Sequence, residues 1–204
     1  MPNVGAISAW KNLTSLTFNS IPAVRKFDHF RSVAQACVQL EELRFRAIGP
    51  HGHCMYIKDV ANSLQYCQKL KNFSIEQGHI ADFLKDLLLG LSHCPVLESV
   101  CVYNSDLLER SSLKCKNNLQ ETILNLIKKC HLLNFIRVPV PHVAKNGCNK
   151  MKNWITAKLD HPRSNLFMEF CEKLAINEDQ FHAFPPDVPR LRYMRWTSRV
   201  CETH

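Results

Sequence analysis

The chain has 204 residues, an apolar fraction of 46% and a formal net charge of +8, with 26 Lys and Arg against 18 Asp and Glu. The apolar fraction is sufficient for a buried core. However, no stretch approaches the roughly 18 consecutive apolar residues of a membrane span, and the amino terminus lacks the pattern of a secretory leader. These features predict a protein of the cytoplasm, the nucleus or both, without a membrane segment.

A short phrase recurs along the chain: a lead residue, a leucine three positions later, and then two apolar residues in alternation. The first copy is led by Trp10 and ends at Phe18. The next four copies are led by Cys37, Cys67, Cys94 and Cys130 and end at Phe45, Ile75, Val102 and Val138. A degenerate sixth copy is led by Pro162, with Asn165 in the leucine position, and ends at Phe170. A seventh copy is led by Val188 and ends at Trp196.

The spacing of these phrases is nearly regular. Their last apolar residues are separated by 27, 30, 27, 36, 32 and 26 residues. The mean of about 30 lies just above the roughly 20 to 29 residues of leucine-rich repeats, and loop insertions would absorb the longer gaps. The alternation within each phrase predicts a strand, and the period near 3.6 between phrases predicts helices. The helices are expected near residues 27–37, 57–66, 80–91, 119–130, 149–159 and 178–184.

Each unit therefore consists of a strand, a loop and a helix. We predict an α/β leucine-rich-repeat solenoid, or horseshoe, with a parallel sheet on the concave face and helices on the convex face. It would form a single array of about seven units over residues 1–204. The alternative is an ordinary α/β domain whose strands resemble one another. Parallel strands buried on both faces would be nearly continuous apolar runs, however, whereas these phrases alternate with polar residues.

The ten cysteines do not indicate a disulfide framework. Four of them recur at one repeat position, which is typical of small buried hydrophobic residues in a reducing compartment. The sequence His51-Gly-His53-Cys54 lacks the second ligand pair of a structural zinc site. Cys54, Cys130 and Cys148 are the candidate nucleophiles if the chain is instead a Cys/His hydrolase. We expect no metal, no cofactor and no catalytic residue.

The basic charge does not by itself indicate a nucleic-acid partner. Lys and Arg are scattered through every unit and are interleaved with acids such as Glu41, Glu42 and Asp82. No nucleic-acid-binding motif is present. A protein with an acidic surface is the favoured partner.

The polar positions of the strands are the candidate binding site. Residues between the apolar positions point away from the core and should line the concave face. They include arginine and aromatic residues, which are enriched in binding hot spots, and Phe135 and Phe167 are expected to be exposed aromatic rings. We predict that a protein partner contacts Arg44, Arg46, Glu76, Tyr103, Phe135, Arg137, Tyr193 and Arg195. The alternative is that these residues are only the polar half of amphipathic strands.

The phrases Cys37-x-x-Leu40, Cys67-x-x-Leu70, Cys94-x-x-Leu97 and Cys130-x-x-Leu133 resemble the cysteine-containing repeats of the F-box/leucine-rich-repeat family. The resemblance implies a non-enzymatic horseshoe that recognises the substrate of a cullin-type ubiquitin ligase. A separate F-box module docks onto the ligase adaptor in that family. No F-box is visible here, so we expect an array truncated at its N-terminus that reaches an adaptor only through a missing segment. The alternative is a stand-alone leucine-rich-repeat adaptor or inhibitor without a ligase link.

Overall fold

The computed structural model describes residues 8–19, 29–48, 55–77, 83–104, 119–139 and 147–171. All of them belong to one compact part of the chain, Met1–Leu174. The predicted seventh repeat and the predicted helix at 178–184 lie outside the described residues. A single array over the whole chain therefore stays a prediction.

The described part of the chain alternates between strands and helices. The strands are β1 (Ser15–Asn19), β2 (Glu42–Ile48), β3 (Asn72–Gln77), β4 (Ser99–Asn104), β5 (Phe135–Pro139) and β6 (Phe167–Cys171). The α-helices are α1 (His29–Ala36), α2 (Met55–Ser63), α3 (Leu84–Leu91), α4 (Leu119–Lys129) and α5 (Gly147–Ala157). Short 3₁₀ helices occupy Ser8–Asn12 and Leu64–Tyr66. None of the helices in these segments has the length and apolar character needed to cross a membrane.

The six strands form one open parallel sheet in the order β1-β2-β3-β4-β5-β6. Each strand thus pairs with the strand of the adjacent unit, as a solenoid requires. The predicted α/β leucine-rich-repeat fold is confirmed, and six of the seven predicted strand positions fall within β1 to β6.

Alternation within the strands accounts for the core. Leu43 and Phe45 of β2 are buried and lie in register with Phe73 and Ile75 of β3, which are also buried. The helices supply the other side of this layer, because residues three and four apart share one helix face. In α3 the buried side chains are Leu84, Leu87, Leu88 and Leu91.

The lead cysteines form a buried column at the point where each helix turns into the next strand. Cys37, Cys67, Cys94 and Cys130 are all free thiols and buried, as predicted. The Cys94 thiol donates to the carbonyl of Leu64 at 3.5 Å. The Cys130 thiol approaches the carbonyls of Leu91 at 3.7 Å and Cys94 at 3.4 Å. These two thiols therefore contact backbone oxygens at the helix-to-strand turn before the neighbouring strand.

The sixth unit makes this turn with different residues from those predicted. In the fifth unit the Leu133 N–H donates to the Cys130 carbonyl at 3.1 Å, and the equivalent bond in the sixth runs from Leu166 to Arg163, also at 3.1 Å. Arg163 and Leu166 therefore occupy the lead and leucine positions, and the assignment to Pro162 and Asn165 was wrong by one residue. The reason is that Leu166 packs against the core whereas Asn165 is exposed.

Candidate protein interface on the open face of the sheet

The sheet face opposite the helices, here called the open face, carries the polar positions of the strands. Strand register arranges them in two rows that run across the sheet. The first row is Ser15, Glu42, Asn72, Ser99, Phe135 and Phe167. The second row is Thr17, Arg44, Ser74, Cys101, Arg137 and Glu169. Glu76 and Tyr103 are paired in a third register position.

At the β1–β2 end of the open face, a local ion pair neutralises the charge of Arg44. Its Nε donates to Oε1 of Glu42 at 2.8 Å, and its Nη2 forms an ion pair with the same oxygen. Ser15 donates its hydroxyl to Oε2 of Glu42 at 2.8 Å. Arg46 lies in β2 in register with Asn19, and its side chain is outside the described part of the structure. The predicted contact residue Arg44 is thus largely covered and already paired.

The middle of the open face is lined by small polar side chains. Asn72, Ser74 and Ser99 are half-buried, and no charged residue occupies the two rows on β3 and β4. Cys101 is only 6% exposed. Burial raises the pKa of its thiol to about 11, although Arg137 and hydrogen bonds with Tyr103 and Ser99 act in the opposite direction. Cys101 is therefore a neutral thiol at physiological pH.

At the β4–β6 end, Arg137 is the centre of a cluster that joins three units. Its Nε and Nη2 donate to Oε2 of Glu169 at 2.8 Å and 2.5 Å, and its Nη1 donates to the Tyr103 hydroxyl at 3.2 Å. The guanidinium carbon lies 5.7 Å from the Tyr103 ring centre and 5.6 Å from that of Phe135. Such distances are typical of cation–π contacts.

Arg137 remains charged in this setting although it is only 8% exposed. Burial disfavours the charged guanidinium, but hydrogen bonds and charge interactions with Glu169 and Tyr103 outweigh it and raise the pKa above its ordinary value. The guanidinium is thus held in place by its partners and presents little surface to solvent. Its role at an interface would be to fix the groups around it.

The two phenylalanines of the first row differ in exposure. Phe135 is 2% exposed and Phe167 is 46% exposed. Their rings stack with 5.7 Å between centres and an angle of 4°. The expectation that Phe135 is an exposed aromatic residue was wrong, because the Phe167 ring and the Arg137 guanidinium lie against it. The expectation for Phe167 is confirmed, and its ring is exposed to solvent at this end.

The predicted contact residues are therefore only partly gathered together. Tyr103, Phe135 and Arg137 belong to one cluster, and Glu76 lies beside Tyr103 in register. Arg44 belongs to the separate pair at the other end. Tyr193 and Arg195 lie outside the described residues. Phe167 and Glu169 were not among the predicted contacts. They occupy the same strand positions as Phe135 and Arg137, and this equivalence was the sequence signal that could have identified them.

The buried thiols are poorly suited to nucleophilic catalysis. Burial raises the pKa of Cys67 to about 12 and that of Cys130 to about 11, and it also raises the pKa of Cys94. Only the thiolate is a good nucleophile. The side chains of Cys54 and Cys148 lie outside the described residues.

Metal ligands are not gathered in the part of the chain that the structure describes. Among those residues, no group of three or more His, Cys, Asp and Glu side chains is placed to hold a metal ion. The motif His51-Gly-His53-Cys54 lies outside this part, so the prediction for that motif stays untested.

Comparison with known proteins identifies the repeats. Residues 2–131 match the family described as "F-box/LRR-repeat protein 18, LRR". Human F-box/LRR-repeat protein 18 is 28% identical over 102 residues, which cover 48% of this chain and 14% of the human protein. The match thus spans a small part of that relative's length. No solved structure matches the chain. Because the family match covers more than half of the sequence, the chain belongs to the leucine-rich-repeat family of F-box/LRR-repeat protein 18.

Proposed function

We propose that this chain is a non-enzymatic module that supplies the substrate-binding repeats of an F-box-type cullin ubiquitin ligase receptor. Membership of a leucine-rich-repeat family supports a protein-interaction module. The observation that carries the proposal is the continuous open face, on which six parallel strands present polar and aromatic side chains. The ligase role is suggested by the name of the human relative. We place the module in the cytoplasm or nucleus, where such ligases act.

The contact surface we propose is centred on Tyr103 and Phe167, with Glu76 beside them. Aromatic side chains held in one conformation lose little entropy on binding and are common hot spots. Phe135 and Arg137 support these two rings from below. Because the charges of Arg44 and Arg137 are paired with acids on the same face, recognition there depends on aromatic contact and hydrogen bonding more than on net charge.

A comparison of three forms of the chain tests the recognition role. The tagged wild type, a Tyr103→Ala/Phe167→Ala variant and a Lys85→Ala variant are purified from cells, and the recovered proteins are quantified by mass spectrometry. Lys85 is exposed on α3, on the helix side, and serves as the matched control. We expect a set of proteins that the wild type and Lys85→Ala recover and the double variant loses. If every recovered protein is insensitive to the double substitution, the open face is not the recognition surface.

The ligase role is tested by the lifetimes of the proteins so identified. An isolated substrate-binding array competes with the complete receptor, so its overproduction should lengthen those lifetimes and reduce ubiquitin conjugates. Unchanged lifetimes would favour the alternative of a stand-alone adaptor or inhibitor. Direct recovery of a cullin adaptor with this chain would contradict our view that a segment outside it makes that contact.

A further inference from the structure

The guanidinium of Arg163 bridges the turn between α4 and β5. Its Nη1 donates to the carbonyls of Ile127 at 2.9 Å and Cys130 at 3.1 Å. Its Nη2 donates to the carbonyl of Leu133 at 2.7 Å and also to that of His131. These four oxygens belong to the end of α4 and the turn that follows it. One side chain thereby bonds to an oxygen in the last turn of α4, where helix carbonyls lack intrahelical donors, and to three oxygens of the turn that follows.

The same two acceptor positions are contacted by cysteine in the preceding unit. The Cys130 thiol approaches the carbonyls of Leu91 and Cys94, and Leu91 stands three residues before its lead cysteine as Ile127 does before Cys130. Arg163 also replaces cysteine in the backbone turn, since its carbonyl accepts from Leu166 as that of Cys130 accepts from Leu133. The guanidinium therefore takes over the contacts of the thiol and adds two more.

We infer that Arg163 is a positioning residue that replaces the cysteine of the repeat and holds β6 on β5, thereby setting the aromatic and ionic cluster of the open face. The coupling is through the chain: β6 begins four residues after Arg163 and carries Phe167 and Glu169. Phe167 stacks on Phe135, and Glu169 accepts from Arg137. This inference concerns the shape of the open face and does not depend on which partner binds there.

Hydrogen exchange on the full chain tests the role of Arg163. Three variants are compared with the wild type by mass spectrometry: Arg163→Ala, Arg163→Lys and, as a control, Lys158→Ala. Lys158 is exposed and lies five residues before Arg163, just after α5. Charge-assisted hydrogen bonds dominate the contact, so we expect exchange in residues 166–171 to be at least about tenfold faster in Arg163→Ala, with β3 unchanged.

The Arg163→Lys variant separates the effect of the guanidinium hydrogen bonds from the effect of a positive charge alone. A lysine keeps a positive charge beside the end of α4, where it interacts favourably with the helix dipole, but one ammonium cannot reproduce the fork that spans four carbonyls. We expect Arg163→Lys to exchange nearly as fast as Arg163→Ala, and Lys158→Ala to behave like the wild type. Wild-type exchange in Arg163→Lys would overturn the bridging role.

A side-chain signal reports on the open face directly. The Nε–H resonance of Arg137, assigned from its loss in Arg137→Lys, reflects the hydrogen bond to Glu169. We expect it to shift in Arg163→Lys and not in Lys158→Ala. If exchange in β6 accelerates but this resonance stays in place, Arg163 stabilises its unit without positioning the cluster, and the inference is wrong.

Discussion

Replacing Gly90 by alanine should destabilise the protein, although the same change in most helices has the opposite effect. Gly90 lies in the last turn of α3, where alanine is intrinsically favoured by roughly 1 kcal/mol. A Cβ at Gly90, however, would lie 2.9 Å from both the Cα and the carbonyl carbon of Ala61 in α2, and closer still to the carbonyl oxygen. Backbone atoms cannot rotate away as a flexible side chain does, so the two helices must separate.

The magnitude follows from setting these two effects against each other. Overpacking of a closely packed contact costs about 1 to 3 kcal/mol, and the backbone clash places this case in the upper part of that range. After the helix preference of alanine is subtracted, we expect a net loss of about 1 to 2 kcal/mol in the free energy of unfolding. With a urea dependence of about 2 kcal/mol per molar, the midpoint should fall by about 0.5 to 1 M.

Urea unfolding followed by circular dichroism measures this effect. The matched control is Lys85→Ala in the same helix, whose exposed side chain makes the expected change smaller than about 0.5 kcal/mol. If Gly90→Ala is as stable as the wild type or more stable, helix preference outweighs the contact, and the close approach of α2 and α3 at Ala61 is refuted.

Three further predictions concern the core and the open face. Leu97→Asp places an unpaired charge at a fully buried position, so thermal unfolding should show a loss of several kcal/mol, and unchanged stability would contradict the register described above. The pKa of Cys67 is raised by burial, and further by Cys37, to about 12 from an ordinary value of 9.0. The neutral Cys67 thiol therefore stabilises the fold fully below about pH 9, and this stabilisation is lost as the pH rises toward 12. Urea titrations at pH 8, 9.5 and 11 should show that the free energy of unfolding declines more steeply with pH in the wild type than in Cys67→Ala. Arg137→Ala removes the ion pair with Glu169 and should cost about 1.5 to 3 kcal/mol, whereas Tyr103→Phe removes one hydrogen bond and should cost about 1 kcal/mol in the same thermal assay; equal effects would argue against Arg137 as the centre of the cluster.

The strands were predictable because their signal is local. Alternation of apolar and polar residues over five positions decides which residues face the core. In β2 and β3 this pattern is sufficient without information from other parts of the chain. Helices such as α3 and α4 were predictable for the same reason, from the 3.6 period of their apolar residues. The buried cysteines followed from one more step, since a residue that recurs at the same repeat position must meet its counterparts in the stacked array.

The failures occur where the outcome depends on contacts between units. Phe135 has the same place in the alternation as Ser99, and nothing within its own strand shows that Phe167 and Arg137 will cover it. The turn of the sixth unit was misassigned because Asn165 fits the spacing of the earlier copies, whereas the packing of Leu166 decides the structure. The long side chain of Arg163 likewise reaches residues of the previous unit that sequence proximity does not indicate.

The ion pair at the β1–β2 end of the open face lies within one strand, whereas the cluster at the β4–β6 end spans three units, so the two ends should respond differently to substitutions. The pair between Glu42 and Arg44 lies within one strand, so it survives small movements between units. The cluster around Arg137 joins Tyr103 of β4 to Glu169 of β6, and its geometry depends on the register of three units. Nearest-neighbour interfaces determine the stability of a repeat array. A substitution that loosens the sixth unit should therefore alter the cluster around Arg137 and any recognition through it, while leaving the β1–β2 end intact.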